Sequence, residues 1–93
     1  MTDKHWKAKE RFIAKKLKGK RIPMHGDNHS DVESDVFCAE VTVHSLPKWI
    51  EERLLRARAM AQSNKLGICV ICIRDTSKGY VVIDLDDFEE WYV

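Results

Sequence analysis

The chain has 93 residues and a formal net charge of +1, with 44% hydrophobic and 33% charged residues. This length fits one domain whose core is just large enough to be stable without disulfides, and the composition excludes a disordered chain. No apolar run approaches the length of a membrane span, and the basic N-terminus lacks the apolar block of a signal peptide. We therefore expect a single cytoplasmic domain over residues 1–93.

The charges are distributed unevenly along the chain. Residues 1–22 contain nine Lys or Arg against two acids, whereas residues 75–93 contain one Lys against six acids. A basic segment of this kind favours a polyanionic partner. The alternative is a helix whose lysines only face solvent, which is what most lysine-rich helices do.

The first predicted helix covers residues 3–17 and ends at Lys18-Gly19. Its apolar residues lie at helical spacing and form one stripe, consisting of Trp6, Ile13, Ala14 and Leu17. Glu10 falls inside this stripe, and acids are rarely buried without a partner or a metal. Two interpretations stay open for Glu10, a salt bridge to Arg21 or Arg56 and a role in a site.

The next predicted elements are strands. Residues 20–24 read as a first strand, placed at a sheet edge by Pro23, and residues 25–30 form a polar loop with two histidines. Two β-prone runs then flank Ser34-Asp35, which predicts a hairpin with these two residues as its loop. In that register Glu33 pairs with Val36 and Asp31 pairs with Cys38.

The hairpin register brings carboxylates together. Because side chains on a strand alternate between faces, the register puts four residues on one face: Asp31, Cys38, Glu40 and Thr42. Asp31 and Glu40 are then diagonal neighbours, and two converging carboxylates suit Mg²⁺ or Mn²⁺. The alternative is that both acids decorate a solvated hairpin face.

The second half predicts a helix and two strands. The helix starts after Ser45, with Pro47 in its first turn, and runs to about Ser63. Residues 68–73 are apolar on both faces, as in a central strand, and residues 80–85 form the last strand. Asp86 can cap a short terminal helix whose aromatic residues dock onto the sheet. These aromatic residues are Phe88, Trp91 and Tyr92.

The predicted fold is α/β, a single mixed sheet in the order α-β-β-β-α-β-β. The strand at 36–43, the helix at 46–63 and the strand at 68–73 make a right-handed crossover between parallel neighbours. The three cysteines are odd in number and lie in strand-like runs, which favours reduced thiols. A C-x-x-C spacing on a strand points its two sulfurs to opposite faces, so neither a zinc nor a redox site is expected.

This element order resembles the restriction-endonuclease-like, PD-(D/E)-x-K nucleases, most of all the small Holliday junction resolvases of archaeal and phage type. In that family a helix-one Glu, a hairpin Asp and an E-x-K on the next strand form the active site. The matching residues are Glu10 in Lys9-Glu10-Arg11, Asp31 in Ser30-Asp31-Val32, and Glu40 in Glu40-Val41-Thr42. The similarity extends over nearly the whole chain.

The resemblance implies a metal site and also shows a departure. Asp31 and Glu40 would hold Mg²⁺ or Mn²⁺, which lowers the pKa of a bound water and stabilises the phosphorane, and Glu10 would hold or orient a second ion or water. Thr42 stands where the family has its lysine, which orients the nucleophilic water and offsets phosphate charge. Lys48 or Arg56 would have to replace it.

The resemblance implies a metal-dependent endonuclease that cuts branched DNA, such as a four-way junction, as a homodimer. The residues expected to contact DNA are Lys7, Lys15, Lys16, Lys20 and Arg21. Because of Thr42, a catalytically silent nucleic-acid-binding or inhibitor protein on the same fold is the main alternative. A third possibility is an adaptor that binds a protein through the C-terminal aromatic residues.

Overall fold

A computed structural model describes the backbone of residues 3–23 and 30–93 and the side chains of residues 6–23 and 30–93. It is a small α/β fold with three helices and two small antiparallel sheets. In chain order, the elements are α1 (Asp3–Lys16), β1 (Lys20–Arg21), β2 (Val32–Glu33), β3 (Cys38–Ala39), α2 (Lys48–Met60), β4 (Cys69–Cys72), β5 (Gly79–Val82) and α3 (Leu85–Tyr92).

The chain forms two compact units, residues 1–43 with Val93 and residues His44–Tyr92. In the first, β1, β2 and β3 form one antiparallel sheet with β2 in the middle. In the second, β4 pairs with β5 alone. The predicted single mixed sheet, with a parallel crossover through α2, is therefore not confirmed among the described strands.

The first helix agrees with its prediction, and it ends in a Schellman motif. Lys18 adopts a left-handed backbone conformation with φ 55°. The N–H of Gly19 donates to the carbonyl of Ala14 at 2.8 Å, and that of Lys18 donates to Lys15 at 3.3 Å. These bonds satisfy carbonyls that the helix end would otherwise leave without partners.

The core of the first unit lies between α1 and its sheet. Val32 on the central strand is fully buried, and Ala14 and Leu17 of α1 are also buried. Trp6 and Ile13 are half-buried. The predicted apolar stripe of α1 is therefore confirmed, and so is the inward position of Glu10, which is only 2% exposed.

The predicted hairpin register is wrong by two residues. Val32 pairs with Ala39 and Glu33 with Cys38, so the two loop residues are Asp35 and Val36. Ser34 precedes them, and its hydroxyl accepts the N–H groups of Val36 at 3.2 Å and Phe37 at 2.9 Å. Serine is favoured at the first position of a turn for this reason.

Because the shift is by two, each side chain keeps its predicted face. Exposure alternates from residue 37 to residue 44, with the odd-numbered positions half-buried and the even-numbered positions exposed. Val41 and Val43 are thus on the inner side, and Glu40 and Thr42 share the outer side, as the sequence predicts for these two. The predicted strand 20–24 ends at Arg21, and its Met24 lies outside the described residues, as does most of the predicted loop at 25–30.

The second unit is built on α2. Leu54 is buried and Ile50, Ala57 and Ala61 are half-buried, so they form one apolar stripe at helical spacing. The helix ends at Met60 instead of Ser63, because Ala61 turns to an extended conformation. Gly67 packs against α2, and a Cβ there would lie 2.7 Å from the backbone nitrogen of Arg58.

The predicted burial of β4 and the predicted cap of α3 are both wrong. The strand predicted to be buried on both faces has one open face, where the paired Val70 and Val81 are 56% and 57% exposed. The terminal helix is capped by Asp84 instead of Asp86, since the Asp84 carboxylate accepts the N–H groups of Asp86 and Asp87. A carboxylate at this position also interacts favourably with the helix dipole.

The terminal helix forms exposed ion pairs with α2. Arg58 donates to Asp87 at 2.8 Å and lies 3.7 Å from Asp84. The hydrogen bond to Asp87, with the charge of Asp84, raises the pKa of Arg58 above its ordinary value. Trp91 and Tyr92 are exposed, so the prediction that they dock onto the sheet is wrong.

Within the described part of the chain, no helix has the length and apolar character needed to cross a membrane.

Candidate nucleic-acid interface

The solvent side of α1 is strongly basic. Its exposed cationic side chains, with those directly after the helix, are Lys7, Lys9, Arg11, Lys15, Lys18 and Lys20. Lys16 is half-buried. Five residues were predicted to contact DNA, and three of them are thus exposed: Lys7, Lys15 and Lys20.

The one acid among the described side chains of α1 is removed from this surface. Glu10 is 2% exposed, and its Oε1 accepts a hydrogen bond from Nε of Arg21 at 2.6 Å. Arg21 is 21% exposed. The structure therefore shows the salt bridge to Arg21 that was one of the two interpretations of Glu10. Arg21, predicted to contact DNA, is already bound to this acid.

Phe12 is an aromatic residue in the middle of the basic side. It is 50% exposed, and at 100° per residue it lies opposite the buried stripe of Glu10, Ala14 and Leu17. The ammonium of Lys16 lies 5.6 Å from the centre of the Phe12 ring, within the range of a cation–π interaction. We define Phe12 with its flanking Lys15 and Lys16 as the α1 basic face.

Sequence reasoning missed Phe12, although two signals could have found it. It falls outside the apolar stripe of a helix whose other large apolar residues lie within it, and it stands at i, i+4 from Lys16. An aromatic side chain that is exposed among lysines is a feature of single-strand-binding surfaces, because each base offers a ring face for stacking.

The two carboxylates of the hairpin lie just beyond its paired residues. Asp31 directly precedes Val32 and Glu40 directly follows Ala39, the pair at which the β2–β3 ladder ends. Ile22 donates to the carbonyl of Asp31 at 2.9 Å. The Asp31 side chain also accepts the Val41 N–H at 2.8 Å.

Glu10 does not join these two carboxylates. Arg21 pairs with Val32, which pairs with Ala39, so these three share the face that α1 covers. By alternation Asp31 and Glu40 belong to the opposite face of the sheet. In keeping with this, the described residues contain no group of three or more His, Cys, Asp or Glu side chains that could hold a metal ion.

The remaining predicted site residues are exposed. Thr42 follows β3 on its outer side. Lys48 is the first residue of α2, and Arg56 lies on the solvent side of the same helix, in the second unit. The residues described therefore do not form the three-carboxylate site implied by the resemblance, and no catalytic step through a metal follows from their arrangement.

Comparison with known proteins gives no match. No protein-family model matches the chain, and neither a curated protein nor a solved structure is similar to it.

Proposed function

We propose that this protein binds nucleic acid through the α1 basic face and prefers strands with unpaired bases. The observation that carries the proposal is the burial of Glu10 against Arg21. Because this acid is neutralised inside the unit, every charge among the described side chains on the surface of α1 is positive. A surface of one sign attracts a polyanion and releases its counterions on binding.

Phe12 supplies the preference for unpaired bases. Lysines contact phosphates of any duplex or single strand alike, whereas an aromatic ring can stack only on a base that has left its own stack. Stacking on one aromatic side chain contributes about 1–3 kcal/mol per base. Single strands and the open positions of branched DNA offer such bases, so they are the expected ligands.

Fluorescence anisotropy with a labelled single-stranded oligonucleotide tests this function. We expect Phe12→Ala to weaken single-strand binding by about tenfold or more, since it removes the stacking platform, and to change binding of a fully paired duplex little. Phe88→Leu serves as control, because Phe88 is a half-buried residue of the acidic helix α3. Equal losses on duplex and single strand would contradict the role of Phe12.

A second candidate function is cleavage of branched DNA, as the resemblance to the junction resolvases implies. The observation that favours it is that Asp31 and Glu40 adjoin the same strand pair, Val32 and Ala39, on neighbouring strands. Like charges opposite each other on neighbouring strands destabilise a sheet, and a hard cation such as Mg²⁺ or Mn²⁺ would relieve the repulsion. In this candidate the protein acts as a homodimer, since one site per subunit can make only one of two symmetric cuts.

Cleavage of a labelled four-way junction distinguishes the two functions. Products that form with Mg²⁺ or Mn²⁺ and disappear with EDTA, with a plain duplex left intact, would establish the nuclease. Binding of the junction without cleavage in either metal would leave binding as the whole function.

A further inference from the structure

A groove runs along the open side of β4 in the second unit. Its volume is about 510 Å³, and it is lined by Trp49 and Arg53 of α2 and by residues Ile68–Cys72. No β5 residue lines it, so it lies on the side of β4 away from its hairpin partner. We call it the β4 groove.

The backbone of β4 offers hydrogen-bonding groups to this groove. Ile73 N–H donates to Lys78 at 2.9 Å, and bonded pairs alternate along an antiparallel ladder, so Ile71 and Cys69 bond to β5. The N–H and C=O groups of Val70 and Cys72 therefore point into the groove. Among the described residues, no backbone hydrogen bond joins β4 to any strand except β5.

This edge lacks the features that protect sheet edges from pairing. Proteins blunt an exposed edge with charged residues, Pro or a bulge. Residues Ile68–Ile73 contain no charge and no Pro, and the register with β5 runs without a bulge. Trp49 above the edge is 56% exposed. An apolar edge of this kind is suited to accept another strand.

We propose that the β4 groove binds an extended, acidic segment of a partner protein as an added strand. Such segments gain affinity from main-chain hydrogen bonds and specificity from alternate side chains. Arg53 is the one charged residue that lines the groove, and it has no ion-pair partner among the described residues. A carboxylate of the incoming segment can pair with it through charge-assisted hydrogen bonds.

The alternation of side chains along β4 determines at which position of the added strand this carboxylate must lie. Cys69 is buried and Ile71 half-buried, whereas Val70 and Cys72 are exposed, so Cys69 and Ile71 face α2. An added strand has its side chains in the same alternation. The acidic residue of the segment therefore stands level with Cys69 or Ile71, where it faces α2 and Arg53.

Charge disfavours a second copy of this chain as the occupant. A two-fold pairing of β4 with itself would bring two unpaired Arg53 side chains and two copies of Arg74 to the new sheet. Residues Gly67–Arg74 of the second copy contain no acid that could neutralise them. An acidic segment satisfies Arg53, and a second β4 does not.

An NMR titration with designed peptides tests the proposal. The probe is a peptide of about nine residues, since strands usually have 3–10, in which valine alternates with threonine around a central glutamate. The comparison peptide carries lysine in place of glutamate. We expect the glutamate peptide to shift the amide signals of Val70 and Cys72 and to slow their hydrogen exchange, and the lysine peptide to bind at least about tenfold more weakly.

Matched variants separate the groove from other surfaces. Val70→Pro removes an N–H that points into the groove, whereas Val81→Pro removes the N–H of the paired residue, which points to the opposite edge of the hairpin. Only Val70→Pro should abolish binding. Arg53→Glu, on an exposed position, should reverse the preference between the two peptides without affecting the fold.

Several results would overturn the proposal. Equal binding of both peptides, or of neither, contradicts an acidic segment. Equal losses in Val70→Pro and Val81→Pro place binding elsewhere. Slow exchange of the Val70 and Cys72 amides in the free monomer means that the chain itself covers the edge. A dimer in sedimentation that Val70→Pro dissociates makes a second copy the occupant.

Discussion

Glu10 is a carboxylate that α1 turns toward its own sheet, where Arg21 on β1 meets it. The pair is unequal, because Glu10 is 2% exposed and Arg21 is 21% exposed. Water can still reach the guanidinium, but it cannot hydrate the carboxylate. Glu10, which matches the helix-one acid of the resemblance, is therefore bound in a buried salt bridge, and the charges that remain on the surface of α1 are positive.

Because the two residues differ in exposure, replacing each with alanine should lower the free energy of unfolding by a different amount. Arg21→Ala leaves the buried carboxylate of Glu10 without its ion-pair partner and should lower the free energy of unfolding by about 3 kcal/mol. Glu10→Ala leaves the guanidinium of Arg21 without its partner, but water can hydrate it, so the free energy of unfolding should fall by less. The double variant should be more stable than Arg21→Ala alone. Urea denaturation measures all three, with the exposed Arg58→Ala as a control that we expect to lose much less stability.

A metal role for Glu10 would give a different pattern. In that case Glu10→Ala would leave the free energy of unfolding of the metal-free protein unchanged or raise it, and Arg21→Ala would show no coupling to it in the double variant.

The hairpin carboxylates make a separate prediction. Asp31→Asn or Glu40→Gln removes one of two crowded charges, so each should stabilise the metal-free protein slightly and abolish Mn²⁺ binding in a calorimetric titration. Asp35→Asn, in the exposed turn, is the matched control and should change neither property. Mn²⁺ binding by the Asp31→Asn/Glu40→Gln double variant at wild-type strength would rule out a metal at this pair.

A substitution at Thr42 tests whether the protein can cleave DNA once the lysine of the family is restored. If the nuclease candidate holds, Thr42→Lys should raise junction cleavage by about one to three orders of magnitude, as a positioned acid or base typically contributes. If Lys48 or Arg56 supplies the cation, Thr42→Lys should change little and the Ala variant of that residue should abolish cleavage. No cleavage by wild type and all three variants would end the nuclease reading.

At the scale of elements, the sequence located the helix ends and turns but did not predict which residue takes each position in them. The pattern predicts that α1 ends at Lys18-Gly19, and it does, but glycine usually takes the left-handed position in such a motif. Here Lys18 takes it. Gly19 is needed for a different reason, since a Cβ at Gly19 would overlap the carbonyl oxygen of Glu33.

Opposite effects are therefore expected at these two neighbours. Lys18→Gly relieves the left-handed strain and should stabilise the protein by up to about 1 kcal/mol. Gly19→Ala forces α1 and β2 apart and should destabilise it by about 1–3 kcal/mol. Thermal unfolding of the two variants checks this. Stabilisation by Gly19→Ala would contradict the close approach of its backbone to Glu33.

The hairpin shows why its register could not be derived from residue types alone. Ser34 and Asp35 are both turn formers, so the pattern located the turn correctly within one residue. The hydroxyl of Ser34 favours the position before the loop, where it accepts two N–H groups, and this moved the pairing by two. The helical stripes were predictable because a 3.6-residue period extends over many residues and tolerates local errors.

At the scale of the molecule, the order of elements could be predicted but the pairing of strands could not. An apolar run such as Ile68–Ile73 is expected at the centre of a sheet, and in this fold it forms the edge of a two-stranded one. The residues of this run do not tell whether its own chain pairs with both edges of the strand or leaves one edge unpaired. The resemblance to the junction nucleases depended on that pairing, and the function we propose is therefore based on the surface of α1.

The salt dependence of nucleic-acid binding tests the central claim most directly. Each lost phosphate contact should flatten the slope of log K against log salt by about 0.7 on a single strand, so Ala at Lys7, Lys15 and Lys16 together should flatten it by about two units. The control is Lys65→Ala/Lys78→Ala, which removes exposed lysines of the second unit and should leave the slope unchanged. An unchanged slope in the triple variant would show that the lysines of α1 only face solvent.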